Sequence, residues 1–341
     1  MIWYVTRETV KGALDIKSTA RTDAQVDRCI EAATGQVTGL LRRRFDPWTG
    51  TRRFPSTYGT LWFGERALVR LDSLTVDDVD QDVDDYLLLP VDDGPPYDGI
   101  VADVTSAAAG LVGSTSRYPI SAVGVWGYDL VETTAGATAE ALDASETAVD
   151  LTGPASAAVG VGSVLRVDDE RMAVTGRAQL STGVTLGANV GAGKADTSVQ
   201  VSSGAGVTAG ETVLVDAEKM LVHEVTGNVL VVTRAVDGSV LAAHTSGTTV
   251  YAPRTVTVER AVLGTTAATH VDASAVRVWQ PPALVVELAT AYALTALGQQ
   301  QAGYARTVGA GENEREAAGR GLRQIETDAK QTFKRWMVGA V

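Results

Sequence analysis

The chain has 341 residues, of which 45% are hydrophobic and 21% are charged, and its formal net charge is −12 at pH 7. This is the composition of a folded protein and excludes a disordered chain, while ten prolines without a Gly-X-Y period exclude a collagen-like rod. The length predicts a core domain with at least one further module. The acidic balance argues against a broad electrostatic grip on nucleic acid phosphates.

A single cysteine, Cys29, cannot form a disulfide within the chain and cannot build a zinc site. We therefore expect a reducing compartment, no metal and no cofactor. The first eight residues lack the basic and apolar regions of a signal peptide, which predicts no secretion by that route. The longest uncharged helical stretch, residues 288–305, contains three consecutive glutamines and is too polar to span a membrane.

Helical periodicity marks the first element. A helix is predicted from Thr22 to about Arg44, because its apolar residues recur on one helical face: Val26, Cys29, Ile30, Ala33, Val37, Leu40 and Leu41. Thr22 and Gln25 form a predicted capping box, and arginines at 42–44 suit the negative end of the helix dipole. A shorter helix, about Thr6 to Leu14, precedes it.

The middle of the chain has β character. Between Arg52 and Tyr128, short apolar runs separated by Gly, Pro and Asp turns predict a small antiparallel sheet. After Tyr128 the composition shifts to Ala, Thr, Gly and Val, which predicts an all-β module with its boundary near residue 131. The helical period returns after Pro282, and a last helix is predicted from Glu312 to about Met337.

These elements predict an α+β fold. Residues 1–130 and 280–341 form one domain of helices with a small antiparallel sheet, and residues 131–279 are an inserted all-β domain. Two repeats mark the insertion. Thr147–Leu151 and Gly162–Val174 recur 48 to 50 residues later, and the segment from Arg234 to His244 recurs 26 residues later. Two copies are too few for a solenoid, so we expect a sandwich or a small barrel.

The sequence gives little support for a catalytic site. The chain has three histidines, His223, His244 and His270, and the last two hold equivalent repeat positions. Two such histidines can bind a metal, but a structural role shared by both copies is the simpler interpretation. No set of acid-base or nucleophilic groups converges in the sequence, which predicts that the chain is not an enzyme.

Two other patterns have structural explanations. The aspartate-rich run at residues 77–85 lacks the glycine and the closing glutamate of a calcium loop, so a solvated hairpin tip is expected. The glycines near residues 160 and 191 lack the spacing of a phosphate loop and are expected in turns. The densest basic patch, formed by arginines 42–44 with Arg52 and Arg53, either contacts DNA or an acidic partner or complements a helix end.

Several segments together resemble the head-to-tail adaptor (connector) proteins of long-tailed, siphovirus-like bacteriophages. The similar segments are Tyr4–Asp15, the helix from Asp23 to Leu41 with Arg43-Arg44-Phe45 after it, Gly94–Tyr97, Val123–Tyr128, and Gly303–Gly309 with the final helix. None of these motifs is catalytic, and they cover roughly residues 1–130 and 280–341. The β insertion departs from the small all-helical members of the family.

This resemblance implies a structural virion protein at the head-tail junction, made in the host cytoplasm. It implies a ring of about twelve copies that docks on the portal protein, meets a tail-side connector or stopper protein, and lets DNA pass without specific binding. The major capsid protein is a further candidate partner for the β insertion, and no membrane is involved. The alternative is a phage tail, receptor-binding or carbohydrate-binding protein built on the β module.

A ring contact uses two different faces of one protomer, and the apolar sides of the first long helix and the last helix are the candidates. The residues predicted for the contact with another copy or with the portal are Val26, Ile30, Val37, Arg42, Arg43, Arg44, Tyr292, Leu322, Ile325, Phe333 and Trp336.

Overall fold

The fold is α+β, and its sheets are mostly antiparallel. The computed structural model describes residues 1–14, 22–103, 111–114, 116–301, 307–308, 315–316 and 320–333. The helices in these ranges are α1 (Arg7–Gly12), α2 (Asp23–Leu41), α3 (Gly153–Ala158), α4 (Ala283–Gln301) and α5 (Arg320–Thr332).

Helices from the two ends of the chain share one core, and we call α1, α2, α4 and α5 the helical body. The apolar face of α2 packs against α4, with Val285, Leu288 and Ala289 fully buried at the contact. The predicted long helix is confirmed, but it ends at Leu41, because Arg42 adopts a left-handed conformation with φ 48°. The predicted capping box is wrong: Thr22 makes no side-chain cap, and the Gln25 side chain bonds Gln300 instead.

The described residues between 48 and 127 form a small β unit of two sheets around an aromatic core. Strands β1 (Trp48–Phe54), β7 (Ile120–Gly127), β3 (Ala67–Val76) and β4 (Val79–Gln81) form one sheet in that order, and β2 (Leu61–Trp62), β6 (Gly99–Ala102) and β5 (Tyr86–Leu89) form the other. Phe54, Phe63 and Trp126 fill the space between the sheets. The aspartate-rich run begins at the β3–β4 hairpin tip, where Asp77 and Asp78 have positive φ.

A ten-stranded antiparallel sheet occupies the region between the small β unit and α4. Its strands are β8 (Glu132–Ala137), β9 (Ala148–Asp150), β10 (Val164–Val167), β11 (Glu170–Thr185), β12 (Ser198–Gln200), β13 (Thr212–Val215), β14 (Glu218–Thr226), β15 (Val229–Thr233), β16 (Thr249–Glu259) and β17 (Ala275–Trp279). The described strands do not close into a barrel. Two separate apolar cores lie along this one sheet. Two-residue strands β18 (Thr307–Val308) and β19 (Arg315–Glu316) pair with each other after α4.

The two cores belong to two copies of one structural unit, one nested inside the other. We call residues 132–185 together with 249–279 the first lobe, and residues 186–248 the second lobe. The second lobe is inserted at the tip of the β11–β16 hairpin, where Thr185 pairs with Thr249. Its ends are joined by a backbone hydrogen bond of 2.8 Å from Leu186 to Thr248. The two sequence offsets, 48 to 50 and 26, arise because the insertion splits the first copy but leaves the second continuous.

Equivalent residues of the two copies have the same structural roles. The hairpin β10–β11 of the first lobe corresponds to β13–β14 of the second, and Met172 and Met220 are both fully buried in their own lobe's core. Their surrounding core is almost entirely valine and leucine, which suits buried strands.

Candidate functional site

The apolar residues predicted for a subunit contact on α2 lie inside the chain. Val26, Ile30 and Val37 are fully buried in the core of the helical body. A side chain that is already removed from water within one chain adds no apolar contact area against a second copy. The structure therefore revises this part of the predicted surface, because these three residues stabilise the helical body.

The arginine run divides between surface and interior. Arg42 and Arg44 are exposed, whereas Arg43 is buried. The Nη2 atom of Arg43 donates to both carboxylate oxygens of Asp98, each at 3.0 Å, and its guanidinium lies 5.6 Å from the ring centre of Tyr128. Arg43 therefore fixes the helical body to the small β unit, and only Arg42 and Arg44 remain available to a partner.

The predicted residues Tyr292, Leu322, Ile325 and Phe333 belong to the core of the helical body or pack against it. The Tyr292 hydroxyl donates to Glu326 at 2.8 Å, and burial together with this carboxylate raises the pKa of Tyr292. Leu322 and Ile325 are half-buried against the core of the helical body. Phe333 is buried beside the rings of Phe45 and Tyr128, and Trp336 lies outside the described residues.

The first lobe contains a polar cluster of four residues that sequence reasoning missed, in which Glu170, Arg260 and His270 have buried side chains and Asp168 is exposed. The carboxylate of Glu170 is fully buried and accepts two hydrogen bonds from Arg260, at 2.6 and 2.7 Å, and two from backbone N–H groups of the segment that follows it. The imidazole of His270 lies between Glu170, at 3.0 Å from Nε2, and Asp168, at 2.8 Å from Nδ1. Four convergent side chains thus tie the β10–β11 turn to the segment after β16.

The second lobe repeats this cluster bond for bond. Arg234 donates to Glu218 at 2.6 and 2.7 Å, and both side chains are fully buried. His244 lies between Glu218, at 2.9 Å, and Asp216, at 2.7 Å. The repeat with the 26-residue offset relates Arg234 to Arg260 and His244 to His270. The repeat with the 48-residue offset relates the carboxylates of Asp168 and Glu170 to those of Asp216 and Glu218. That signal was present in the sequence, but the repeats had to be superimposed to bring the four residues together.

The electrostatics of the clusters favour ionised glutamates. Burial by itself raises the pKa of Glu170 and Glu218, but hydrogen bonds from arginine, histidine and backbone N–H groups outweigh burial and lower both values from 4.5 to about 2. Each imidazole nitrogen of His244 and His270 is within hydrogen-bond distance of a carboxylate, which leaves neither nitrogen free to ligate a metal. Each cluster therefore stabilises the fold of its own lobe.

Each lobe also presents the same turn towards the rest of the molecule. The turns Ala235–Gly238 and Ala261–Gly264 share positive φ values at their first, third and fourth residues. In the first lobe the third residue, Leu263, packs against the helical body, and the neighbouring Arg171 donates to Thr49 of β1 at 3.0 Å. In the second lobe the third residue is Asp237, which pairs with Lys11 of α1 at 2.7 Å. One anchor is therefore apolar, and the other is ionic.

A cleft of about 850 Å³ lies between the N-terminal segment and the two lobes. Its wall on one side includes Trp3 and Lys11, and its wall on the second-lobe side includes Lys219, Val236 and Leu241. Among the charged residues that line it, six are basic and three are acidic: Arg7, Lys11, Arg177, Lys194, Lys219 and Arg234 against Glu8, Asp23 and Asp237. This lining contrasts with the net charge of −12 for the whole chain.

Within the described ranges, no group of three or more His, Cys, Asp or Glu side chains is arranged to hold a metal ion. Among the helices given above, none is long and apolar enough to cross a membrane. Comparison of the chain with protein-family models, with curated proteins and with solved structures found no match.

Proposed function

We propose that this chain is a head-to-tail adaptor of a long-tailed bacteriophage, a structural virion protein that forms a ring, docks on the portal and extends the DNA channel towards the tail-side connector. The observation that carries the proposal is the helical body. Its helices come from the two ends of the chain, which are the segments that resemble the adaptor family, and they pack in one core. The lobes and the small β unit are then elaborations of this body.

The polar groups of the described chain support a structural role. The two histidines most suited to catalysis are buried in the clusters, and the third, His223, bonds Thr233 at 2.6 Å on an exposed strand. The net charge of −12 suits a channel wall, because a like-charged surface repels the duplex and lets it pass. Passage requires weak rather than tight contact with DNA.

Exposed residues must carry the contacts of a ring. With Val26, Ile30, Val37 and Arg43 committed to the interior, Arg42 and Arg44 are the remaining candidates from the predicted set on the N-terminal side. They lie at the end of α2, beside the junction with the small β unit. We assign them to the contact with an acidic surface of the portal or of the next copy.

Electron microscopy of the full chain, with and without its cognate portal, tests the proposal. We expect a ring stacked coaxially on the portal, with the lobes as density outside the channel. A matched sample that lacks the second lobe identifies this density by difference. Arg42→Glu combined with Arg44→Glu is expected to reduce docking at least tenfold, whereas Arg53→Glu, an exposed arginine of β1, serves as the control. Particles that never join the portal would contradict the proposal.

A further inference from the structure

The second lobe has two kinds of attachment to the rest of the molecule, and they differ in chemistry. Towards the first lobe it is held by a shared sheet and by the ion pair of Arg254 with the fully buried Glu211, at 2.8 Å. The second lobe is attached to the helical body by the ion pair between Lys11 of α1 and Asp237. Away from this ion pair, the cleft lies between the helical body and the second lobe.

Asp237 is the centre of this second attachment. Its carboxylate accepts from Lys11 of α1 through one oxygen and from Lys219 of its own lobe through the other. Lys11 in turn pairs with Asp23 at the start of α2. The side chains of Lys11, Asp237 and Lys219 are 15%, 26% and 35% exposed, so water and salt reach this network. Ion pairs that remain partly solvated are weak and are screened by salt.

The contact made by the equivalent turn of the first lobe is not screened by salt. There the residue at the position of Asp237 is Leu263, which packs against the helical body, and Trp279 and Val164 of the same lobe are buried in the core of that body. Apolar burial is insensitive to screening, and it strengthens rather than weakens in many salts. The first lobe is therefore fixed, while the same turn in the second lobe is held by charge.

The strands that lead to the second lobe can accommodate a change of direction. The pairing of β11 with β16 shifts register three times, between Val174 and Gly176, between Ala178 and Leu180, and between Ser181 and Val184. Such irregularities interrupt the ladder and bend the strands locally. They lie along the two strands of the first lobe that carry the second lobe at their tip.

We propose that the second lobe is a lid on the cleft, closed by the ionic latch Lys11–Asp237–Lys219 and opened by pivoting on the β11–β16 strands. When the latch is intact, Lys219, Val236 and Leu241 form one wall of the cleft. When it is broken, that wall moves away from α1 and the cleft opens to solvent. Ionic strength sets the balance between the two states.

Distance measurements by pulsed electron spin resonance on the full chain test the lid. One pair of spin labels is placed at Glu31→Cys on α2 and Glu224→Cys on the second lobe, both exposed, while native Cys29 is buried and is not labelled. A second pair, at Glu31→Cys and Glu259→Cys, reports the first lobe as a control. At low salt we expect one narrow distance for each pair.

In 1 M KCl, the population at longer distance is expected to rise about fivefold for the second-lobe pair and to stay constant for the first-lobe pair. Asp237→Asn is expected to give the open population at low salt, whereas Asp169→Asn, an exposed aspartate outside the latch, is expected to leave the distance unchanged. Lys11→Leu combined with Asp237→Leu copies the apolar anchor of the first lobe. This variant should stay closed at both salt concentrations.

Three results would overturn the lid. The first is a narrow second-lobe distance that neither salt nor Asp237→Asn alters. The second is equal broadening for both label pairs, because the whole β region then moves together. The third is opening of the double leucine variant by salt. Thermal melting of each variant checks that it is folded before the distances are compared.

Discussion

Glu170 and Glu218 occupy equivalent positions, each at the centre of the polar cluster of its own lobe. Each is a fully buried carboxylate that accepts hydrogen bonds from an arginine, a histidine and two backbone N–H groups. A buried charge is tolerated only when such donors replace its lost hydration. The donors lie 90 to 100 residues after Glu170 and 16 to 26 residues after Glu218, so each glutamate links its β-turn to a later segment of its own lobe.

Glu218→Gln is expected to unfold the second lobe selectively. The change keeps the size of the side chain but leaves the fully buried Arg234 without a counter-ion, at a cost of about 3–5 kcal/mol. Hydrogen exchange at pH 7 should show lost protection in β13, β14 and β15 and little change in the first lobe. Glu224→Gln, on an exposed part of β14, is the matched control and should change the free energy of unfolding by less than about 0.5 kcal/mol.

The same clusters predict acid sensitivity with a definite direction. The folded pKa of both glutamates is about 2, below the value of 4.5 for the free side chain. The ionised clusters therefore stabilise the lobes fully above pH 4.5, and this contribution disappears as the pH falls from about 4.5 towards 2. It is on the order of 3 kcal/mol for each cluster.

Thermal melts between pH 7 and pH 2 measure this loss. The double variant Glu170→Gln with Glu218→Gln should be less stable at pH 7 and should show a smaller decrease in Tm over the acid range than the unmodified chain. An unmodified chain whose Tm is constant from pH 4.5 to pH 2 would contradict the assignment.

At this scale the sequence allowed part of the prediction. The equivalence of His244 with His270 follows from the 26-residue offset, and a shared structural role was the preferred interpretation. Their carboxylate partners were missed, because the two repeats were not superimposed on each other and Glu170 lies 100 residues before His270. Burial of Arg43 was equally unpredictable, since its partner Asp98 lies in a loop of another unit.

Among the elements, β11 and β16 determine how the lobes are built. They form the longest pairing in the structure's described strands, and the second lobe interrupts it between two residues that are already paired, Thr185 and Thr249. A hairpin whose ends are in register needs only a two-residue turn. The second lobe is therefore an insertion that the first lobe does not need for its own ladder.

Replacing residues 186–248 with Asn-Gly is expected to leave a folded chain. The first lobe keeps its cluster of Glu170 with Arg260 and its own apolar core, so the helical body and the first lobe should both persist. Val184 and Val250, which would lose their cover, are changed to threonine in the same design. Circular dichroism and hydrogen exchange of β10 and β17 should match those of the full chain.

The matched control is the reciprocal cut. Removing residues 138–174 deletes the first lobe's half of the cluster and should unfold the first lobe, because Arg260 and His270 then lose both carboxylates. If both deletions had the same effect on the remaining lobe, the nested arrangement would not describe the energetics.

Periodicity predicted α2 and α4 well, but the predicted start of the last helix at Glu312 is wrong, because Arg315 and Glu316 pair as a strand and α5 begins at Arg320. It predicted the strands only in kind. The long apolar stripe of α2 identified its buried face, but the pattern cannot distinguish burial within one chain from burial between copies. For that reason Val26, Ile30 and Val37 were expected at a subunit contact. The separation of the large sheet into two cores was also beyond the pattern, because alternation along a strand does not specify its neighbours.

For the whole molecule, the helical body is the part that joins the two ends of the chain. α5 closes it, with Ala329 fully buried and Ile325 packed at its side. Since these contacts are internal, changes on this face affect folding of the body before they affect association of copies.

Ile325→Asp is expected to destabilise the helical body by about 2 kcal/mol, because it places a charge against the apolar core. Helical circular dichroism at 222 nm should melt earlier, and assembly of the proposed ring should be lost together with the helix. Leu322→Asp is expected to act in the same way. Thr327→Asp, on the exposed side of α5, should change neither signal. Loss of rings from Ile325→Asp with an unchanged melt would instead place this face at a contact between copies.

The nesting of the units also sets the order in which they can be completed during synthesis. All strands of the second lobe leave the ribosome before β16 and β17, which the first lobe needs, and α4 and α5 follow last. Units with local contacts fold early, whereas contacts between distant segments wait for the later segment. Completion therefore proceeds from the second lobe outwards, and the helical body is completed only once α5 has been synthesised.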